Sequence, residues 1–173
     1  MVEQKNSQVS QDICGPGSSD DAILTNLLIF TVHTLRCAVP AEIVYHVVRM
    51  VAITPVPKAP SGIIGIINYH GEIIPVFSLR LHFSLPNKDC SVTDFLLIVQ
   101  KKRKIAVIAE KVDSVSTLHT TPVTPDSIFP GISGIEGVYQ CEDGLLILTD
   151  PEKLFSLEDE ETLRKILEGM AGA

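Results

Sequence analysis

The stretch from Gly62 to Phe83, GIIGIINYHGEIIPVFSLRLHF, limits what this chain can fold into more than any other. Two apolar runs flank a polar break at Asn68-Tyr69-His70-Gly71. Asparagine and glycine accept the positive φ that tight hairpin turns demand. Gly62 to Ile67 and Glu72 to Phe77 are therefore expected to be paired strands, with Asn68 to Gly71 as their turn. Pro75 lies inside the second run, although proline supplies no N–H to a β-ladder. Ser78 precedes Leu79-Arg80-Leu81-His82-Phe83 and is placed to cap a short helix. The stretch holds no recognisable nucleophile, metal cluster or phosphate loop. It is expected to be the scaffold hairpin of a module that joins other proteins together.

The rest of the chain continues the pattern. Residues 1–21 are polar and end in Gly15-Pro16-Gly17-Ser18-Ser19-Asp20-Asp21, the composition of a flexible tail. Ala22 to Val32 reads as a buried strand, with a helix left open by its length. His33 to Arg36 is the expected turn, and Cys37 to Met50 a strand interrupted at Pro40. Strict alternation in that strand puts Val44, His46 and Val48 on one face and Tyr45 and Val47 on the other. Thr54-Pro55-Val56-Pro57-Lys58-Ala59-Pro60 contains three prolines, which rule out a helix and predict an extended connector. Ser91 to Gln100 and Ile105 to Ala109 form a further hairpin, whose basic tip Lys101-Lys102-Arg103-Lys104 is expected to stand in solvent. Val112 to Leu118 is a strand, and Thr121-Pro122-Val123-Thr124-Pro125 is expected to break the pattern. Gly131 to Gly137 matches neither GxGxxG nor a phosphate loop and reads as a turn. Gly137 to Cys141 and Leu145 to Thr149 make the last hairpin around Glu142-Asp143-Gly144. Asp150-Pro151 opens a short turn. Ser156 and Asp159 then form a capping box, and Leu163, Ile166, Leu167 and Met170 make one apolar stripe that docks on the sheets. Nine or ten short strands at hairpin spacing give an all-β architecture of barrels or a sandwich.

Composition narrows the function. Among 173 residues there is no tryptophan, aromatics are 5%, and the net charge is -7. An acidic, aromatic-poor chain suits neither the phosphate backbone nor base stacking, so nucleic acid is not the expected partner. Cys14, Cys37, Cys90 and Cys141 are too dispersed for a CxxC pair and are expected to be reduced thiols. His33, His46, His70, His82 and His119 lack the close spacing of a zinc set. A Cys37–His46 nucleophile pair is left open by the sequence but not favoured by it. No metal, cofactor or catalytic residue is expected. There is no apolar leader and no run of about 18 apolar residues, so a cytoplasmic protein without membrane insertion is expected.

Longer patterns carry a resemblance. Thr54-Pro55-Val56-Pro57, then Gly65-Ile66-Ile67-Asn68, Gly71, Ile73-Ile74-Pro75-Val76 and Leu79-Arg80, resembles the signature of the CheW family, roughly TPVP…GVINLRGxIIPVxDLR. Phe30 to Val47 resembles the family's first strand pair. Gly144 to Leu148, with Asp150, Lys153 and Leu154, resembles its closing strand and helix. The resemblance implies two five-stranded, SH3-like β-barrels packed around a shared apolar core, with short C-terminal helices. It divides the chain into a tail at 1–21, a CheW-like domain of two barrels at 22–156, and a C-terminal helix and tail at 157–173. It implies a non-catalytic adaptor of chemosensory signalling, coupling the cytoplasmic tips of methyl-accepting chemoreceptors to the regulatory domain of a CheA-type histidine kinase in membrane-associated arrays. At this length it implies a stand-alone coupling protein. Alternatives are a divergent chemosensory-like pathway with a non-motility output, a small nucleic-acid-binding β-barrel, and a small cysteine or metal enzyme.

The resemblance places Val44, His46, Asn68 and His70 at or near the receptor surface. It places kinase contact on the first barrel's strands around Gly65 and Glu72. Three positions depart from the family pattern. His46 stands where glutamate is frequent, His70 where the turn has arginine, and Ser78 where aspartate precedes Leu-Arg. Loss of both the glutamate and the arginine leaves no orphan charge, and the pair is expected to alter receptor preference.

Overall fold

A computed structural model describes residues 22–123 and 128–171. The expected tail at 1–21, and Thr124 and Pro125, lie outside the described residues. Ten strands follow in order: β1 Ala22–Val32, β2 Leu35–Pro40, β3 Val44–Arg49, β4 Ile63–Tyr69, β5 Glu72–Phe77, β6 Phe95–Gln100, β7 Lys104–Ala109, β8 Lys111–Val123, β9 Ile135–Cys141 and β10 Gly144–Thr149. Three α-helices join them: α1 Leu79–His82, α2 Pro151–Leu154 and α3 Leu157–Ala171. The strands β1-β2-β10-β9-β8 close into a barrel, and β3-β6-β7-β5-β4 form a second five-stranded sheet. The expected all-β fold of two five-stranded units is present. Both ends of the chain build the closed barrel, and its middle builds the other unit.

Apolar runs such as FLLIVQ at 95–100 bury both strand faces, each in a different core. Leu96 and Ile98 point into the central unit with Ile67, Ile74, Val76 and Ala106. Leu97 and Val99 point the other way, into a core shared with Leu28, Phe30, Val39, Phe77 and Ile147. The closed barrel has its own interior of Leu27, Ile29, Ala38, Cys141, Leu146 and Leu148. The period of two thus sorts one strand's side chains between a barrel interior and the layer between barrels. That middle layer is the shared apolar core the family implies.

Several boundaries shift for local reasons. The first turn is only His33-Thr34, since Leu35 and Arg36 already pair with Val32 and Thr31. The central hairpin likewise turns on two residues, His70 at φ 52 and Gly71 at φ 85. Both central residues in the left-handed region match the right-handed twist of the flanking strands. Asn68 stays in β4, and its Oδ1 accepts the Gly71 N–H at 2.9 Å. Gly137 belongs to β9, and Gly144 to β10. The 121–125 segment does not break the fold where expected, because β8 runs through Pro122 to Val123. There β8 pairs with β9, Pro122 opposite Tyr139 and Val123 opposite Val138. Pro75 is tolerated because β5 meets β7 only from Val76 onward.

Polar anchors fix the two units together. Ser78 Oγ accepts the Leu81 N–H and caps α1, as expected. From α1, Arg80 Nε donates to Glu110 Oε1 at 2.7 Å, at the β7–β8 junction. Glu110 also accepts the His33 N–H of the β1–β2 turn. Burial opposes the Glu110 charge, but the bonds and charges of Arg80, His33 and Lys88 prevail and hold its pKa below the ordinary value. The basic 101–104 tip is not the solvated turn expected. Arg103 Nη1 donates to Glu160 Oε2 at 2.7 Å, its guanidinium lies 5.0 Å from the Phe155 ring, and it also donates to the Phe155 carbonyl. Lys101 pairs with Asp150 at 3.4 Å. The tip clasps the start of the acidic α3, whose capping box is formed: Asp159 N donates to Ser156 Oγ at 3.1 Å. Leu163, Ile166 and Leu167 of α3 dock on the middle core, whereas Met170 stays exposed.

Candidate functional site

Strand β3 begins after a single turn of 3-10 helix at Ala41–Ile43, and it carries a bulge. Val44 pairs with Val99, and His46 pairs with Ile98, so Tyr45 is the extra residue. The bulge corrects the expected alternation. Val44 turns to the middle core, where it packs half-buried, while His46 falls on the opposite face and is exposed. A period-two reading cannot see an inserted residue, and every side chain before it changes face.

The bulge brings His46 to the end of β4. Its Nδ1 lies 3.1 Å from the Tyr69 hydroxyl, with ring centroids 5.7 Å apart. The two residues belong to β3 and β4, the first and last strands of the central sheet. No ladder joins those two edges, so this side-chain bond stitches the seam of a curled sheet. Nearby, the β3–β4 connector bridges β4 at Thr54↔Ile66. Tyr45 packs edge-on against His46 at 4.5 Å, and His70 against Tyr69 at 4.3 Å. Lys104 Nζ sits 4.3 Å above the Tyr45 ring and 2.6 Å from Glu72 Oε2. The Glu72 hydrogen bond raises the Lys104 pKa. Four rings and one ion pair thus form a continuous surface drawn from β3, β4, β5 and β7. Exposed Val47 and Ile73 lie on the same strands, β3 and β5. Glu72, Ile73 and Lys104 also line an open groove of about 540 Å³, whose far wall is Phe155, Leu163 and Leu167.

The expected site residues separate on this map. His46 and His70 both reach the surface patch, but they are not partners: His46 pairs with Tyr69. Asn68 is exposed, yet its amide serves the turn. Glu72 is in the patch through Lys104. Gly65 is not an exposed contact. It is buried, and a Cβ there would overlap the Thr54 carbonyl oxygen and lie 2.6 Å from Ile53 Cγ2. Its role is to let the connector cross β4. Gly65 and Glu72 lie in the central sheet, not in the closed barrel that takes β1. That Tyr69 bonds His46 and that Lys104 joins the patch went unread in the sequence; the Tyr69-His70 turn itself stood out as a departure from the family pattern. One signal was there: two of the chain's three tyrosines flank the two departing histidines.

The geometry offers little reaction chemistry. Cys37 is in β2 of the closed barrel and His46 in the other sheet, so the pair is not assembled. Burial pushes the Cys37 thiol up to about 12, far from a thiolate nucleophile. Among the described residues, no three His, Cys, Asp or Glu side chains are grouped to hold a metal ion, and no helix is long and apolar enough to cross a membrane.

Comparison with known proteins places this architecture. The model of the CheW-like domain matches residues 26–159. The chemotaxis protein CheW of Treponema pallidum is 28% identical over 131 residues, covering 71% of this chain and 77% of that protein. Protein FrzA of Myxococcus xanthus is 44% identical over a shorter span of 50 residues, 29% of this chain and 31% of its own. Among solved structures, the scaffolding protein TtCheW from Thermoanaerobacter tengcongensis superposes with a TM-score of 0.68 at 26% identity, covering 78% of this chain and 94% of that one. With the CheW-like domain matched over residues 26–159, and two five-stranded units around a common core, the chain belongs to the CheW-like domain family.

Proposed function

We propose that this protein is a non-catalytic coupling protein of chemosensory signalling. It joins the cytoplasmic tips of methyl-accepting chemoreceptors to a CheA-type histidine kinase, in the cytoplasm beside membrane-bound receptor arrays. The observation that carries this reading is the CheW-like match across 26–159. The exposed His46–Tyr69–His70 patch is the receptor-facing surface, with Asn68 holding its turn and Val44 supporting β3 from the core side. Kinase contact falls on the strands around Glu72, with Gly65 setting their packing.

Co-purification of the native protein from its host tests the reading. Recovery of a CheA-type kinase together with chemoreceptors is the expected outcome; a clean, saturating pull-down without either overturns it. A parallel pull-down with the His46→Glu/His70→Arg double variant addresses the surface. The exchange is expected to change which receptors are retained, and an unchanged receptor set rejects these two residues as contacts.

A further inference from the structure

The His46–Tyr69 bond has a chemical consequence for what this patch recognises. A phenol hydroxyl is a good donor, and a neutral imidazole carries one donor and one acceptor nitrogen. The nitrogen that faces the phenol is Nδ1, 3.1 Å from the hydroxyl oxygen. With Tyr69 donating, Nδ1 is the acceptor and the ring proton is held on Nε2. Nε2 has no hydrogen-bond partner among the described residues, and His46 is exposed. In that tautomer the patch presents an oriented N–H donor to whatever docks on it.

The surrounding groups leave no free carboxylate to compete for that donor or to repel an anionic acceptor. The titratable and charged neighbours are Tyr45 on β3, Tyr69 on β4, His70 in the turn, Glu72 on β5 and Lys104 on β7. On β6 the residue opposite His46 is Ile98, which is apolar. Glu72, the one carboxylate in the set, is already engaged by Lys104 at 2.6 Å. The outward-facing donors of the set are thus the imidazoles of His46 and His70 and the Tyr45 hydroxyl, with no free carboxylate beside them.

We propose that Tyr69 is a positioning residue that fixes the tautomer and aim of His46, and that His46 Nε2–H recognises a carboxylate on the docking receptor segment. This rests on the receptor-facing reading above and specifies the chemistry of that surface. An N–H to carboxylate bond is charge-assisted on the acceptor side.

Two measurements test it. The first needs no partner: long-range nitrogen–proton NMR correlation on the full chain at pH 8 reads the His46 tautomer. Wild type is expected to carry the proton on Nε2, and Tyr69→Phe to show a mixture with a more mobile ring. A His46 proton on Nδ1 in wild type overturns the assignment, whatever the receptor does. The second is affinity for soluble receptor-tip fragments from the host at pH 8. Tyr69→Phe, which keeps the ring packing, is expected to weaken binding about 2–10-fold, the worth of one hydrogen bond. In a His46→Gln background the same change is expected to have no effect, because Tyr69 acts through His46. Replacing the acidic residues of the fragment by amides is expected to weaken binding to wild type but not to His46→Gln. An equal loss in both backgrounds, from either the amide fragment or Tyr69→Phe, rejects the proposal. Failure of every receptor fragment to bind wild type rejects the receptor reading itself, and the carboxylate assignment with it.

Discussion

Replacing Arg103 by alanine should destabilise the protein well beyond what a hairpin-tip residue ordinarily costs. The side chain is 14% exposed and makes three kinds of contact. Its 2.7 Å bond to Glu160 is charge-assisted; Glu160 is 45% exposed, so that bond is worth about 1 kcal/mol, below the usual range for charged pairs. Loss of its bond to the Phe155 carbonyl, beside a buried ring, costs about 1 kcal/mol more. The guanidinium over the Phe155 ring adds about 0.5–1 kcal/mol. The sum is about 3 kcal/mol, which for a domain of this size lowers Tm by about 6–12 °C. Urea denaturation followed by circular dichroism measures it, with calorimetry for Tm. Lys102→Ala is the control: Lys102 is exposed and contributes only its backbone N–H, at 3.1 Å from Glu152, so its loss should lie within about 0.5 kcal/mol. If Arg103→Ala costs under about 1 kcal/mol, or no more than Lys102→Ala, the clasp is not a stabilising device.

Two further perturbations follow from the packing and the charges. Gly65→Ala forces a methyl group onto the Thr54 backbone and Ile53, so the connector must leave β4; a loss of about 2–4 kcal/mol is expected in chemical denaturation, and a loss under 0.5 kcal/mol would show that the crossing is loose. Glu110 has its folded pKa lowered below about 4.5, so its contribution is complete above that pH and disappears as pH falls through the lowered value. Glu110→Gln should therefore be less stable than wild type by about 1–3 kcal/mol at pH 7, and the gap should close toward pH 3; a gap independent of pH would mean that the ion pair is not its source.

The strands were legible because their signals are local. Apolar runs, Asn and Gly at turns, and Ser before α1 and α3 are read within a few residues, and each produced the element expected. What escaped depended on neighbours far along the chain. Pro122 looked like a breaker because its pairing partner, Tyr139, lies on a strand seventeen residues away. The basic tip looked solvated because Glu160 and Phe155, its partners, are more than fifty residues away. Val44 and His46 looked like companions because nothing in the local pattern marks Tyr45 as a bulge. The site suffered most, since its central bond joins strands that share no ladder. The departing residues at 46 and 70 both lie on the patch, but the pairing within it is a property of the seam between β3 and β4.

The arrangement of the two units also orders events during synthesis. The central sheet is complete once residue 109 has emerged, since all its strands lie between Val44 and Ala109. The barrel that holds the N-terminal strand cannot close until Leu146 reaches Arg36. β1 and β2 must therefore wait, with Phe30 and Val39 uncovered on one side, while the middle of the chain folds beside them. Such a waiting strand pair is a surface for mispairing. A central sheet formed at that stage would give the pair its first apolar surface to pack on, through the layer that Phe30 and Val39 share with Leu97 and Val99.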